Sequence, residues 1–204
     1  MQYDPNSERS VNIMTALPQE RLCTYADLLT WDDGSRYELY GGRPVALASP
    51  SSVHQEISME LSTQLHTYLK GKKCKVYAAP FDVRLFEESG GSPEDVDTVV
   101  QPDITVVCDP EKIDQKGMHG APDLVIEILS PSTAQYDMLW KFNLYRKAGV
   151  REYWIVDPDA RVVSVYTLDK GQYLAAAYGT DSAIKVGVLE DCSIDMAAVF
   201  PTNP

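Results

Sequence analysis

Apolar residues recur every four positions in one stretch of the chain, at Val53, Ile57, Leu61, Leu65 and Leu69. This spacing places them along one face of an α-helix and predicts a helix over residues 52–70. Glu56 and Glu60 fall on the border of the apolar stripe. We therefore expect both carboxylates to be half-buried.

A second long helix is predicted over residues 133–148. Ser132, followed three residues later by Gln135, forms a capping-box pattern at its start, and Gly149 is typical of a C-terminal stop. Near the N-terminus, Thr24 can cap a shorter helix that extends to about residue 31.

Runs of β-branched and aromatic residues predict the strands. Two runs, at 36–40 and 44–48, flank a pair of glycines and predict a β-hairpin. The run at 124–129 is almost entirely apolar, which is typical of a central strand buried on both faces. Further strands are predicted at 75–79, 81–86, 104–108, 152–156, 162–168 and 172–177. This order predicts an α/β to α+β fold, with a mixed central β-sheet flanked by two long helices and additional β-hairpins.

The composition is that of a globular chain, with 204 residues, 44% apolar residues and a formal net charge of −12. An acidic chain repels polyanions overall, but residues 70–75 (KGKKCK) carry four positive charges, so a local basic surface can exist. No run reaches the roughly 18 apolar residues of a membrane helix, and the N-terminal residues are too polar for a signal peptide. We expect a soluble, cytoplasmic protein.

The spacing of the cysteines and the absence of two common motifs argue against several kinds of site. Cys23, Cys74, Cys108 and Cys192 stand far apart without a CxxC pair, so we expect neither a disulfide framework nor a structural zinc site. The chain has no GxSxG motif and no phosphate-binding glycine loop, which argues against acyl transfer and nucleotide-binding enzymes. His54, near the start of the first long helix, is interpreted as a surface or capping residue.

Two carboxylates occur where strands are predicted. Glu127 interrupts the apolar run at 124–129, and an ionised carboxylate buried there needs a partner. That partner is either a buried Lys or Arg or a divalent metal ion. Asp103 opens the strand at 104–108. If the two strands are neighbours, both carboxylates can bind one hard cation, which activates water and stabilises phosphoryl charge.

Five segments of the chain match sequence motifs of a known family. They are RYELYGGRP (36–44), VHQEI (53–57), QPDITVV (101–107), GAPDLVIEILSPST (120–133) and DMLWKFNLYRKAGVREYWIVDP (137–158). With these motifs the chain resembles the Uma family of putative restriction endonucleases, a bacterial group with the PD-(D/E)xK nuclease fold. The resemblance implies a restriction-endonuclease-like core in one domain at residues 24–200, after an arm at 1–23 and before a tail at 201–204.

The resemblance also implies roles for individual residues. Asp103 would be the aspartate of the PD element and a metal ligand. Glu127 would be the second acidic ligand and the carbonyl of Ile128 a third, and the ion would be Mg²⁺ or Mn²⁺. The superfamily pattern has a lysine two residues after the second acid, where this chain has Leu129.

Lys141 is a candidate to replace that lysine. It shares a helix face with Leu144 and Ala148 and lies toward the packed side. The alternative is an ordinary intrahelical ion pair with Asp137, four residues earlier. Glu56 could supply a further carboxylate from the first helix, and the alternative for Glu56 is a solvated surface position.

The leading hypothesis is a Mg²⁺-dependent endonuclease that hydrolyses DNA through a metal-activated water, with Asp103, Glu127, Lys141 and Glu56 as catalytic residues. Two-strand cleavage favours a homodimer. The rival hypothesis is the same fold kept as a non-enzymatic binding or regulatory module, which the acidity and Leu129 favour. Candidate phosphate contacts, each with a solvated surface as the alternative, are Lys70, Lys72, Lys73, Lys75, Arg146, Lys147 and Arg151.

Overall fold

The computed structural model describes residues 21–130 and 140–201. The predicted arm, the predicted tail and the predicted capping box of Ser132 and Gln135 lie almost entirely outside these ranges. The helices are α1 Tyr25–Leu28, α2 Ser52–Leu69, α3 Phe142–Ala148 and α4 Met196–Val199, with short 3₁₀ turns at Pro93–Asp95 and Pro110–Lys112. The strands are β1 Arg36–Tyr40, β2 Arg43–Leu47, β3 Lys75–Ala78, β4 Val83–Arg84, β5 Ile104–Val107, β6 Ile113–Asp114, β7 Gly117–His119, β8 Leu124–Ile128, β9 Glu152–Asp157, β10 Val162–Asp169, β11 Gln172–Tyr178, β12 Ala183–Lys185 and β13 Ser193–Asp195.

A mixed sheet of six strands, in the order β11-β10-β9-β8-β5-β3, forms the centre of the fold. Its neighbouring strands are antiparallel except β8 and β9, which run parallel with Leu124 opposite Glu152. A parallel pair needs a crossover connection, and the segment that contains α3 provides it. The hairpin β1-β2, the pair β12-β13 and the three strands β4-β7-β6 form smaller sheets. The predicted mixture of helices with a mixed central sheet is confirmed.

Helix α2 packs against one face of the central sheet and confirms the predicted first helix. Four apolar residues of its stripe are buried against the sheet, namely Ile57, Leu61, Leu65 and Leu69. Val53, predicted to belong to the same stripe, is 42% exposed. Each four-residue step turns about 40° around the helix axis, so Val53 lies about 100° from the centre of the buried stripe and leaves the buried face.

Helix α3 packs against the opposite face of the sheet. Its Tyr145 is fully buried in a cluster with Val125 of β8 and Tyr153 of β9. Gly149 ends the helix in the left-handed conformation, with φ 88°, which confirms the predicted stop. The first part of the helix predicted at 133–148 lies outside the described residues.

The C-terminal elements cover α2. Ile184, Ile194 and Met196 are buried in the same apolar cluster as the stripe of α2. The amide of Asp195 donates a hydrogen bond to Gln64 Oε1 at 2.8 Å. These contacts hold α2 between the central sheet and the C-terminal residues.

Cys74 and Cys108 form a disulfide between β3 and β5. The antiparallel register pairs Lys75 with Val107, so the two cysteines just beyond these positions face each other. The expectation of no disulfide framework did not include this single bond, because a separation of 34 residues in the sequence does not reveal the strand register. Cys23 and Cys192 carry free thiols.

Candidate active site

Asp103 and Glu127 lie on neighbouring strands at one end of the central sheet. Strands β5 and β8 are antiparallel with Ile104 opposite Ile126. The register therefore places Asp103, one residue before β5, opposite Glu127. Asp103 Oδ2 accepts a hydrogen bond from the amide of Ile128 at 2.8 Å. The expectation that these two strands are neighbours is confirmed.

Glu127 is buried, and a lysine is one of its partners. Glu127 Oε1 accepts hydrogen bonds from Lys141 Nζ at 2.9 Å and from the Tyr145 hydroxyl at 2.6 Å. Burial and the negative charge of Glu127 raise the pKa of Tyr145 well above its usual value, so this hydroxyl stays a donor. Of the two kinds of partner that the sequence left open for Glu127, the structure provides the buried lysine directly.

Lys141 lies between two buried carboxylates. Its Nζ is 2.9 Å from Glu127 Oε1 and 3.2 Å from Glu38 Oε1. Burial alone would lower the pKa of Lys141, but the attraction of Glu127 and Glu38 raises this pKa well above its usual value. Lys141 therefore stays charged at neutral pH and suits the role of a charge-stabilising group. Asp137, its alternative partner, lies outside the described residues.

Glu38 of β1 belongs to this site, and the sequence analysis did not identify it. Besides the contact with Lys141, its carboxylate accepts hydrogen bonds from the main-chain N–H of Gln101 at 2.8 Å and from the Tyr40 hydroxyl. Glu38 is 2% exposed because the hairpin pairs with the chain at Val99. The sequence signal that could have identified Glu38 is its position in the segment 36–44, which matches a motif of the family.

His54 is the α2 residue that reaches the carboxylates. His54 Nε2 lies 3.1 Å from Asp103 Oδ2, and the residue is 9% exposed. Its Nδ1 is buried without a hydrogen-bond partner among the described residues. The amide of His54 donates to the capping oxygen of Ser51, but the interpretation as a mere surface or capping residue is wrong for the side chain.

Glu56 lies elsewhere on the same helix. It is exposed and does not line the cavity that contains Asp103 and Glu127. Two residues along a helix correspond to about 200° around its axis, so Glu56 and His54 leave α2 in nearly opposite directions. The expected half-buried border position is wrong for Glu56, and its catalytic role has no support from its position.

The side chains of Glu38, His54, Asp103, Glu127 and Lys141 line a cavity of about 440 Å³. Its walls are the hairpin β1-β2, the first half of α2 and the ends of β3, β5 and β8. The volume lies in the range of ordinary ligand pockets. Among the described residues, the acidic and basic side chains that line the cavity are Arg36, Glu38, His54, Asp103, Glu127 and Lys141.

The donor atoms of the cavity fit a divalent cation such as Mg²⁺. Such an ion is typically bound by one or two carboxylates and several waters, and Asp103, Glu127 and the Ile128 carbonyl offer oxygen donors. Asp103 pairs with no lysine or arginine in the described part of the chain, so a cation can balance its charge. The described residues contain no cluster of three or more His, Cys, Asp or Glu arranged to hold a metal. Main-chain oxygen and water would therefore complete the coordination.

A family model matches most of the chain. The model for Uma2, described as "Putative restriction endonuclease", matches residues 24–197. This chain belongs to the Uma2 family. The match includes the hairpin β1-β2, helix α2 and all six strands of the central sheet, and it confirms the resemblance found in the sequence.

Relatives and a solved structure extend the comparison for this Uma2 chain. Two uncharacterised proteins of Synechocystis sp. are similar to it. The protein slr1290 is 27% identical over 164 residues, covering 78% of this chain and 82% of that protein, and sll1609 is 24% identical over 149 residues, covering 71% and 80%. The crystal structure of a putative nuclease belonging to DUF820 from Anabaena variabilis gives a TM-score of 0.68 at 21% identity, covering 87% of this chain and 97% of that one. At this identity the likeness shows a shared fold.

The predicted phosphate contacts in segment 70–75 lie far from the cavity of the Uma2 chain. Lys70 follows the last residue of α2, 16 residues after His54, which is about 24 Å along the helix axis. Lys75 pairs with Val107, at the end of β5 that points away from the site. Contact of these lysines, including Lys72 and Lys73, with nucleic acid stays a prediction.

The other predicted phosphate contacts also lie outside the cavity lining. Arg146 and Lys147 lie in the last turn of α3. Arg151 forms an ion pair with Asp123 at 2.9 Å, just before β8. Their role in binding DNA stays a prediction as well. Within the described residues, the lysine and arginine side chains that do line the cavity are Lys141 and Arg36.

Proposed function

We propose that this Uma2 protein is a Mg²⁺-dependent endonuclease that hydrolyses DNA phosphodiester bonds. One observation carries the proposal: Asp103, Glu127 and Lys141 meet in a single cavity at one end of the central sheet. Two acids and a lysine are the side chains of a PD-(D/E)xK site. Membership of the Uma2 family and the fold shared with a putative nuclease support the reaction class.

Asp103, Glu127 and the carbonyl of Ile128 would hold the ion. When bound, Mg²⁺ or Mn²⁺ lowers the pKa of a coordinated water and balances charge on the phosphoryl group. The Ile128 amide and His54 both contact Asp103 Oδ2. These contacts restrict rotation of the carboxylate and so pre-organise it as a ligand.

Lys141 would do the work of the lysine that the superfamily pattern has at position 129. Leu129 packs with the apolar cluster on the α3 side of the sheet. Lys141 instead approaches Glu127 from the start of α3, and Glu38 holds the other side of its ammonium. The retained positive charge would stabilise the negative charge that develops on the scissile phosphate.

Substrate, assembly and location follow from the proposed reaction. DNA is the substrate that the family description suggests, and cleavage of both strands favours a homodimer with two sites. None of the helices described in residues 21–130 and 140–201 combines the length and the hydropathy needed to cross a bilayer. A DNA nuclease of this kind would act in the cytoplasm.

Plasmid cleavage with Mg²⁺ or Mn²⁺ at low salt tests the proposal. We expect nicked and linear products that depend on the metal and are absent with Asp103→Ala, a variant whose folding is checked by circular dichroism. Cleavage that persists in a chelator, or in folded Asp103→Ala, would contradict the proposed site.

A second candidate function is a non-enzymatic binding or regulatory module. The favouring observation is that the ammonium of Lys141 already pairs with both Glu38 and Glu127, so each of these buried acids has a cationic partner without a metal. Calorimetric titration with Mn²⁺ separates the two functions. Binding that vanishes in Asp103→Ala supports the nuclease, and absence of binding to the parent protein supports the module.

A further inference from the structure

Arg36 of β1 lines the cavity without a partner in the described part of the chain. Arg36 and Glu38 are two residues apart, so their side chains leave the same face of the strand, and both line the cavity. Arg36 is half-buried. Within residues 21–130 and 140–201, its guanidinium takes part in no hydrogen bond or ion pair.

Arg36 differs from the other charged side chains of the cavity in having no described partner of opposite charge. Lys141 is bound to two carboxylates, so the field of its charge is largely compensated. A phosphodiester backbone that enters the cavity also meets Asp103, whose negative charge repels it until a cation is bound. Arg36 offers a positive charge there that is not compensated by a carboxylate within the described residues. This arrangement suits an anionic ligand that lies across the hairpin wall.

We infer that Arg36 binds the phosphate next to the scissile one on the substrate strand, an inference that rests on the proposed nuclease function. A guanidinium donates two parallel hydrogen bonds to phosphate oxygens, which fixes position as well as affinity. Two residues of a strand span about 7 Å. If the scissile phosphate of a DNA strand lies at Lys141, beside Glu38, the next phosphate of that strand would therefore lie near Arg36. Across the cavity, Gln55 and Ser58 of α2 line the wall and can donate further hydrogen bonds.

Arg43 provides a matched control on the same hairpin. It pairs with Tyr40 at the turn end of β2, is exposed and does not line the cavity. Arg36→Gln and Arg43→Gln remove the same charge. The hairpin is held by its main-chain ladder, in which Arg36 pairs with Leu47, so both variants should fold.

Fluorescence anisotropy with labelled duplex DNA tests the inference, with Ca²⁺ in place of Mg²⁺ so that binding is measured without cleavage. We expect Arg36→Gln to weaken binding about tenfold. It should also lower the slope of log affinity against log salt concentration by about one unit. Arg43→Gln should keep the parent affinity and slope, and calorimetry with Mn²⁺ should give the parent metal affinity for both variants. Equal losses in the two variants, or no loss in Arg36→Gln, would overturn the phosphate contact.

Failure of the Arg36 contact must be distinguished from failure of the nuclease proposal. Plasmid cleavage by the parent protein and by Asp103→Ala separates the two. Metal-dependent cleavage by the parent protein with unchanged DNA binding in Arg36→Gln removes the contact and leaves the nuclease. A parent protein that never cleaves, but binds DNA through Arg36 and not through Arg43, removes the nuclease and keeps a phosphate site in a DNA-binding module.

Discussion

The ammonium of Lys141 lies 2.9 Å from the carboxylate of Glu127, and both side chains are almost completely buried. This arrangement would serve as the acid and lysine of the proposed PD-(D/E)xK site, and it is equally the arrangement of a structural ion pair. Removing one member of a buried pair leaves the other charge without full compensation. Substitutions that keep the shape of a side chain but remove its charge therefore separate the two roles: loss of stability reports the structural ion pair, and loss of cleavage reports the catalytic role.

Asp103→Asn and Glu127→Gln should both abolish metal-dependent cleavage but differ in stability. Asp103→Asn should change the free energy of unfolding by less than about 0.5 kcal/mol, since an amide oxygen can still accept from the Ile128 amide. Glu127→Gln should cost about 1–3 kcal/mol, because Lys141 then keeps Glu38 but loses its closer carboxylate. Urea unfolding without metal measures both. Full cleavage by Glu127→Gln would reduce Glu127 to a structural partner of Lys141.

Substitutions of His54 and Glu56 should affect Mn²⁺ binding very differently, although both residues lie on the same helix. His54→Ala should weaken Mn²⁺ binding about tenfold to a hundredfold, because Asp103 loses the group that orients it. Glu56→Ala should bind Mn²⁺ like the parent protein, since this side chain is exposed outside the cavity. His54→Gln, which can still donate to Asp103, should recover part of the affinity. Calorimetry would contradict this assignment if Glu56→Ala caused the larger loss.

Tyr40→Phe should change how stability depends on pH. Burial raises the pKa of Tyr40 above its usual value; the positive charge of Lys141 opposes this rise, and the charge and hydrogen bond of Glu38 add to it. The folded protein thus keeps this proton where the unfolded chain loses it. The stabilisation is complete below about pH 10 and is lost as the pH rises further.

At neutral pH, Tyr40→Phe should therefore be less stable than the parent protein by about 1.5–3 kcal/mol, the value of a hydrogen bond to a charged acceptor. Above about pH 10 this difference should shrink by about 1.4 kcal/mol per pH unit. Urea unfolding across a pH series gives the difference. A gap that stays constant would show that Tyr40 does not titrate differently in the two states.

The acids and the lysine could be predicted because each has a local signal. Glu127 interrupts an apolar strand, where a charge is costly, and Asp103 directly precedes another strand. Lys141 is a candidate because the family pattern expects a lysine where this chain has Leu129, and helix periodicity places Lys141 on a face with apolar residues. None of these arguments requires knowledge of contacts between distant segments.

Glu38 and His54 carry no such signal. Polar residues in a hairpin strand and in a first helical turn are usually solvated, and these two are buried by contacts with elements far away in the sequence. The disulfide of Cys74 and Cys108 escaped prediction for the same reason, since it depends on how β3 and β5 align.

The proposal that Lys141 replaces the missing lysine can be tested by moving the lysine back to position 129. Leu129 follows Glu127 by two residues, so both side chains leave the same face of the chain if the strand is extended past its end. Lys141→Ala should lose cleavage and keep metal binding, and adding Leu129→Lys should restore part of the activity. Lys141→Ala combined with Leu129→Met, which supplies a long side chain without charge, is the matched control and should stay inactive.

Stability must be measured alongside activity in this series. Lys141→Ala leaves Glu38 and Glu127 facing each other without the ammonium, which should cost about 3–5 kcal/mol. Leu129→Lys loses apolar packing, but its ammonium should offset part of that cost if it reaches Glu127. Cleavage is therefore compared per folded molecule, with the folded fraction taken from circular dichroism. If Lys141→Ala cleaves as well as the parent protein, Lys141 is only the structural partner of two acids, and the developing phosphate charge must be stabilised by another cation.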